Sequence, residues 1–260
     1  MLNKKFDSVR IGAIIAPMLP AQPNQSLIDG LACLQALATA GGPVGSRQLG
    51  RELGLESTRV NRLLKTLAHL GIAQQTADRQ YTPGPAMHVL AAQAMFGSGL
   101  LQRAIGPLES LRRAKMSVAM GVLWRDHVSY LYHAGPTMKP AEALGRVGLF
   151  PATRSSIGMM LLARRPVDEV RALYRGAEIP NFPDGIESLL KQLAVVRRSG
   201  VAIVQPFERD TVRTIAVAIE AESAAIAFSG PIARGDEDSL TVSLREAAAQ
   251  IAKPQFVENV

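Results

Sequence analysis

Cysteine is almost absent. Cys33 stands alone among 260 residues, which excludes an intramolecular disulfide and fits a reducing compartment. Its place in the apolar run LACLQAL predicts a buried thiol on a helix, not a nucleophile. Also missing is any unbroken apolar stretch of the roughly eighteen residues that a membrane span needs. The opening residues MLNKKFDSVRIGAIIAPMLPA place lysines before a short apolar run, as a secretory signal would. Pro17 and Pro20 break that run and no small-x-small cleavage site follows, so residues 1–23 read as a disordered arm and the protein as cytoplasmic.

Catalytic motifs are missing as well. There is no glycine-rich phosphate loop, no H-E-x-x-H, no C-x-x-C and no G-x-S-x-G elbow. His127 and His133 lie six apart on predicted strands that would let them share a face. Without a third ligand nearby they read as ordinary polar residues, and neither a metal nor a cofactor is expected. An enzyme built from Arg154, Ser155 and His133 would lack a recognisable set of nucleophile, base and orienting group.

What is present is apolar material and positive charge. Hydrophobic residues make up 47% of the chain, enough for two cores, and 260 residues are more comfortably two domains than one. The formal net charge is +7, which suits an anionic partner without proving one. Residues 46–70, SRQLGRELGLESTRVNRLLKTLAHL, predict a short helix, a glycine turn and a second helix. In that second helix Val60, Leu63, Leu64, Leu67 and Leu70 recur at helical spacing and face a core. The opposite side carries Thr58, Arg59, Asn61, Arg62, Lys65 and His69, with no acid after Glu56. A solvated helix usually mixes its charges, whereas a face of cations and hydrogen-bonding groups suits a groove lined by phosphates.

The flanking segments complete a DNA-binding unit. Ser26 is positioned to cap a preceding helix through Leu27, Leu31, Leu34 and Leu37, and Ser46 to cap the short helix. After Gly71, IAQQTADRQYTP reads as two short strands around a polar tip, a wing that would cross the sugar-phosphate backbone with Arg79 at a phosphate. Ser57 and Thr58 at the start of the reader helix, and Arg47 on the helix before it, are further phosphate candidates. Arg59, Asn61, Arg62 and Lys65 are placed to reach DNA, the first three with base edges in range. The partner expected is double-stranded operator DNA, and a small reader needs a dimer to cover two half-sites.

Residues 85–100 read as a linker helix. Beyond Met116, SVAMGVLWRDHVSYLYHAG alternates as two strands, with Trp124, Tyr130 and Tyr132 supplying bulk. Helices follow over 161–174 and 186–198, then strands in VAIVQPF, TIAVAIEA and SAAIAFSG, and a last amphipathic helix over 239–251. The order gives an α+β domain with an antiparallel sheet over residues 101–260, behind a winged helix-turn-helix domain at 24–84.

The stretch STRVNRLLKTLAHLGIAQQTADRQYTPG, with PATRSSIGMMLLA, SGVAIVQPFERDTVRTIAVAI and AAIAFSGP downstream, resembles the IclR family of bacterial transcriptional regulators in order and spacing over residues 24–252. The resemblance implies an N-terminal winged helix-turn-helix, a C-terminal GAF-like effector-binding domain, and action as a dimer or a dimer of dimers that represses or activates. Relatives read approximately PLHATALGKALLA where this chain has residues 151–163, so Thr153 stands where His is usual and Met159 where Lys is. That loop lines the family's effector pocket, making Thr153, Arg154, Ser155 and Ser156 candidates. The second pocket segment departs further: Val204, Gln205 and Pro206 replace an acidic run, and Thr214 replaces a frequent cysteine. Ser229 keeps a hydroxyl, and Met120, Trp124 and Tyr132 are candidates for an apolar wall. The implied effector is a small organic acid of more apolar, aromatic character. The alternatives are a domain that no longer senses a ligand and acts through protein contacts, and, more remotely, a small-molecule enzyme.

Overall fold

A computed structural model describes residues 22–113, 115–144, 148–205 and 211–253. Most of the expected N-terminal arm and Pro206 lie outside the described residues. The chain divides into two compact units, one up to Met95 and one from Phe96 onward.

The first unit contains α1 (Gln25–Thr39), α2 (Ser46–Leu53), α3 (Ser57–His69), β1 (Ala73–Gln75) and β2 (Tyr81–Pro83), followed by the start of α4 (Ala86–Ser98). The cap of α1 is Asn24, whose side chain accepts the Leu27 N–H at 3.1 Å. Ser26 is therefore already inside the first turn, since an extended Asn two residues earlier satisfies the same free donor. Ser46 is likewise the first residue of α2, behind Gly45. The helix-turn-helix is closed by Gly50, where a Cβ would lie 2.8 Å from the Leu55 carbonyl oxygen and 3.4 Å from Ser57 Cα. Only a residue without that carbon lets α3 pack so near α2.

Cys33, Leu37, Leu49, Leu53, Val60 and Leu64 form the core with Ala73 and Tyr81 of the wing. Leu70 departs from the apolar stripe predicted for α3 and is 61% exposed. The helix ends at His69, and its capping residue turns away from the core. The wing pairs Ala73 with Pro83 and Gln75 with Tyr81. It is anchored by reciprocal backbone bonds of 2.9 Å between Val44 and Tyr81.

The second unit is built on an antiparallel six-stranded sheet in the order β5-β4-β3-β8-β7-β6. Its strands are β3 (Ser117–Trp124), β4 (His127–Ala134), β5 (Leu149–Pro151), β6 (Ala202–Val204), β7 (Arg213–Ala218) and β8 (Ala224–Gly230). Helices α5 (Leu100–Ser110) and α9 (Glu237–Ala252) cover one face, against Val118, Met120, Ile215, Ile226 and Phe228. Helices α6 (Ser156–Ala163), α7 (Val167–Leu173) and α8 (Ile186–Ser199) cover the other, against Ala119, Ala202, Ala216, Ala225 and Ala227. Burial on both faces explains why β8 reads AAIAFSG without a polar alternation.

Two details differ from the sequence reading. The single helix expected over 161–174 is two, because Pro166 caps α7 and cannot continue α6. Strand β5, only three residues, carries too little pattern to be read in advance.

Candidate nucleic-acid interface and effector pocket

Thr58, Arg62, Lys65 and His69 recur at helical spacing along α3 and are all exposed. They form one stripe, flanked by two residues that the fold holds in place. On the wing side, Asn61 Oδ1 accepts the buried Tyr81 hydroxyl at 3.5 Å. On the α1 side, Arg59 is ion-paired at 2.7 Å with Asp29. Arg47 in the first turn of α2 and Ser57 at the start of α3 are exposed, and the Glu56 side chain does not cap the α3 N-terminus. Its first-turn N–H groups therefore add to a positive end suited to an anion. Arg79 sits at the wing tip with φ of 59°. This left-handed conformation is unusual for arginine and turns the chain between Thr76 and Gln80, whose backbones bond at 2.8 Å.

Beneath the stripe lies a polar contact that the apolar pattern conceals. Asp29 of α1 is only 3% exposed, and its Oδ1 accepts the Gln25 side-chain amide at 2.7 Å. Its charge adds to burial in pushing the Cys33 thiol up to about 11, burial being the larger cause. Cys33 is thus a core residue, as its position in the run LACLQAL implied.

The candidate effector residues separate into two sets. Thr153, Ser155 and Ser156 lie in the 3-10 turn Ala152–Arg154 and at the start of α6, all buried. Arg154 is half-buried in the same turn. Helix α6 lies over the small-residue face of the sheet, and strand alternation places Val204, Thr214 and Ser229 on that same face, with Thr214 and Ser229 directly paired. Gly158 permits the close approach of turn and helix, because a Cβ there would lie only 2.7 Å from the Ala152 carbonyl carbon and nearer still to its oxygen.

Met120 and Tyr132 do not join this set. They pair with each other and project to the opposite face, where they pack among α5 and α9 and the Tyr132 hydroxyl donates to Glu109. Trp124 lies at the far end of β3, 46% exposed, with the Arg125 guanidinium over its ring at 5.9 Å.

A register shift between Met120 and Gly121 sets Tyr132 and Tyr130 on opposite faces. Gly121 pairs with Tyr130 and Met120 with Tyr132, so Leu131 is the extra residue of a bulge. Tyr130 thereby stays on the α6 face, and His133 joins it edge-on at 5.6 Å. His127 and His133, expected to share a face, fall on opposite ones. His127 instead holds Asp126 at 2.9 Å. A period-two count does not reveal the bulge, and so does not bring Tyr130 and His133 together.

Hydrogen bonding distinguishes the pocket residues from one another. Ser155 Oγ accepts the Gly158 N–H at 3.3 Å and lies 3.2 Å from the Tyr130 hydroxyl. Burial pushes the Tyr130 hydroxyl above its usual range. Thr214 Oγ1 donates to the Val204 carbonyl at 3.2 Å. Thr153 Oγ1 has no hydrogen-bond partner among the described residues, although the residue is only 2% exposed. A more open cleft of about 660 Å³ lies at the other end of α6, lined by Met160, Arg164, Arg197, Glu220 and Arg245. Its arginines already have partners: Arg164 on Glu220, Arg197 on the Ala163 carbonyl and Arg245 on the Ser199 carbonyl. The buried face carries the unpartnered hydroxyl and the first set of candidate effector residues, and the cleft carries none of them.

A winged helix-turn-helix with an acid-free exposed stripe, joined to an α+β domain that shelters polar groups, defines a DNA-binding transcriptional regulator with an effector domain. The chain belongs to the IclR family. The model for the bacterial transcriptional regulator IclR C-terminal domain matches residues 93–253, and that for the IclR helix-turn-helix domain matches residues 26–77. The HTH-type transcriptional regulator KdgR of Escherichia coli is 27% identical over 250 residues, 90% of this chain and 94% of its own length. The Escherichia coli transcriptional repressor IclR is 25% identical over 231 residues, covering 84% of each. Among solved structures, an IclR regulator from Silicibacter superposes with a TM-score of 0.73 at 20% identity, covering 87% of this chain and 94% of that one. An IclR homolog from Microbacterium hydrocarbonoxydans, complexed with 4-hydroxybenzoate, gives a TM-score of 0.64 at 22% identity over 87% of this chain and 97% of its own.

Proposed function

We propose that the protein is a ligand-responsive regulator that reads operator DNA through the stripe Thr58, Arg62 and Lys65, with Asn61 beside it. Arg47, Ser57 and Arg79 supply phosphate contacts. The exposed stripe without an acid carries this reading, since cations and a hydroxyl on one solvent-facing helix side suit a major groove. Arg62→Ala weakens operator binding strongly while leaving the thermal unfolding midpoint within about 2 °C, because the side chain is exposed. Unchanged gel-shift affinity at matched salt would remove α3 from the interface.

The effector is a small organic acid held between the Thr153 turn, the start of α6 and Ser229. The Thr153 hydroxyl, buried without a partner, supports a polar ligand group at that place. The 4-hydroxybenzoate complex of the Microbacterium homolog supports an aromatic acid as the first compound to try. Ligand acts by binding the DNA-competent and DNA-incompetent arrangements unequally. Thermal-shift measurements with aromatic and aliphatic acids test this, a hit confined to sugars or purine breakdown products being the contrary result. The use of Ser155 and Thr214 by their own backbone neighbours favours a second reading, a domain that senses nothing. In that case no compound stabilises the second unit.

Helix α4 has no buried residue, and Val89, Leu90 and Phe96 are exposed along it. An apolar helix of this kind suits pairing with a second copy, and a homodimer is the assembly proposed.

A further inference from the structure

Arg59 lies on the recognition helix, beside the stripe proposed to read DNA, yet its guanidinium is engaged from below. Its Nη2 is 2.7 Å from Asp29 Oδ2, with the arginine side chain 42% exposed and the carboxylate 3%. Among the described residues Asp29 Oδ2 has no hydrogen-bond partner, so this ion pair is its compensation. Gln25 satisfies only the other oxygen. Withdrawing Arg59 toward a phosphate would strand a buried carboxylate, and that cost exceeds what one exposed arginine gains from one phosphate in salt water.

We infer that Asp29 is a positioning residue for DNA reading: it holds Arg59 as a strut between α1 and α3 and keeps its charge out of the phosphate count. The inference rests on α3 being the reader. Its consequence is specificity. An unrestrained arginine beside the groove would add a contact available on every DNA sequence, raising non-specific binding more than operator binding. A neutralised pair instead orients the helix and leaves discrimination to Thr58, Asn61 and Arg62.

Salt dependence separates this role from a purely structural one. Each phosphate newly neutralised steepens the slope of log affinity against log salt by about 0.9. Asp29→Asn, which keeps the shape of the side chain and removes its charge, frees Arg59. Binding of the full-length variant to a non-operator duplex should then steepen by about 0.9 for each reading head engaged, an extra loss of about threefold between roughly 50 and 200 mM salt. The ratio of operator to non-operator affinity should fall. The double variant D29N/R59Q has no ion pair to strand and should return to the parent slope.

If D29N fails to fold, the double variant still decides. A parent slope supports the strut, and a slope flatter by about 0.9 means that Arg59 was already on a phosphate. A folded D29N with the parent slope overturns the inference while leaving α3 as reader, provided Arg62→Ala loses binding. Should Arg62→Ala bind as before, the reader assignment fails, and the strut with it.

Discussion

Replacing Thr153 by valine should stabilise the ligand-free protein and remove its response to ligand. The hydroxyl is buried with no partner among the described residues. A hydroxyl left dry costs about 1–3 kcal/mol relative to its hydrated state. Valine keeps the branched shape and replaces the oxygen by a methyl group, so most of that cost is relieved. The added bulk returns a fraction of it, which leaves a net gain of about 1–2 kcal/mol, or roughly 2–8 °C in the midpoint of a unit of this size. Trp124 is the single tryptophan of the chain and lies in the second unit, so its fluorescence during urea unfolding reports on that unit alone. Thr153→Ser, which keeps the oxygen, controls for the methyl. In thermal-shift titrations, any acid that stabilises the parent should stabilise T153V far less. A variant less stable than the parent by more than about 1 kcal/mol would show that the hydroxyl is satisfied in the folded protein and that the pocket argument is wrong.

Two further outcomes follow from burial in each unit. Gly158→Ala drives a methyl into the Ala152 peptide, so the turn holding Thr153 must move; a loss of about 1–3 kcal/mol is expected in urea unfolding, together with loss of any ligand-induced shift, and parental stability would contradict the close approach. The Cys33 thiol, raised from 9.0 to about 11 by burial and by Asp29, binds its proton more tightly folded than unfolded. Its contribution is whole below about pH 9 and is lost as pH rises through 11, a fall of about 2–3 kcal/mol in the parent that Cys33→Ala should lack when the two are compared in alkaline urea titrations.

The parts of this protein that were legible in its sequence are those governed by local periodicity. The α2–α3 pair, the wing and the paired apolar strands each announce themselves through spacing and a turn residue, because short-range geometry decides them. Legibility stops where one residue is inserted. The bulge opposite Met120 reverses the faces of everything beyond it on β4, so Tyr132 lies on the side opposite Tyr130, while Met120 of the unbulged β3 faces away from α6 by plain alternation with Ala119. The same shift brings His133 beside Tyr130, three positions away. Arg59 is a different case. Helical spacing places it correctly at the edge of the exposed stripe, but its partner lies thirty positions away on α1, and no periodicity links the two. The predicted stripe of Leu27, Leu31, Leu34 and Leu37 hides the carboxylate, because Leu27 and Leu31 are exposed and α1 buries Asp29 on the face of Cys33, Ala36 and Leu37. A lone acid on the buried side of a helix demands a cation from another element, and here Arg59 of the recognition helix supplies it. A buried charge in an N-terminal helix of such a reader therefore argues for removing one arginine from the count of DNA contacts before any operator is sought.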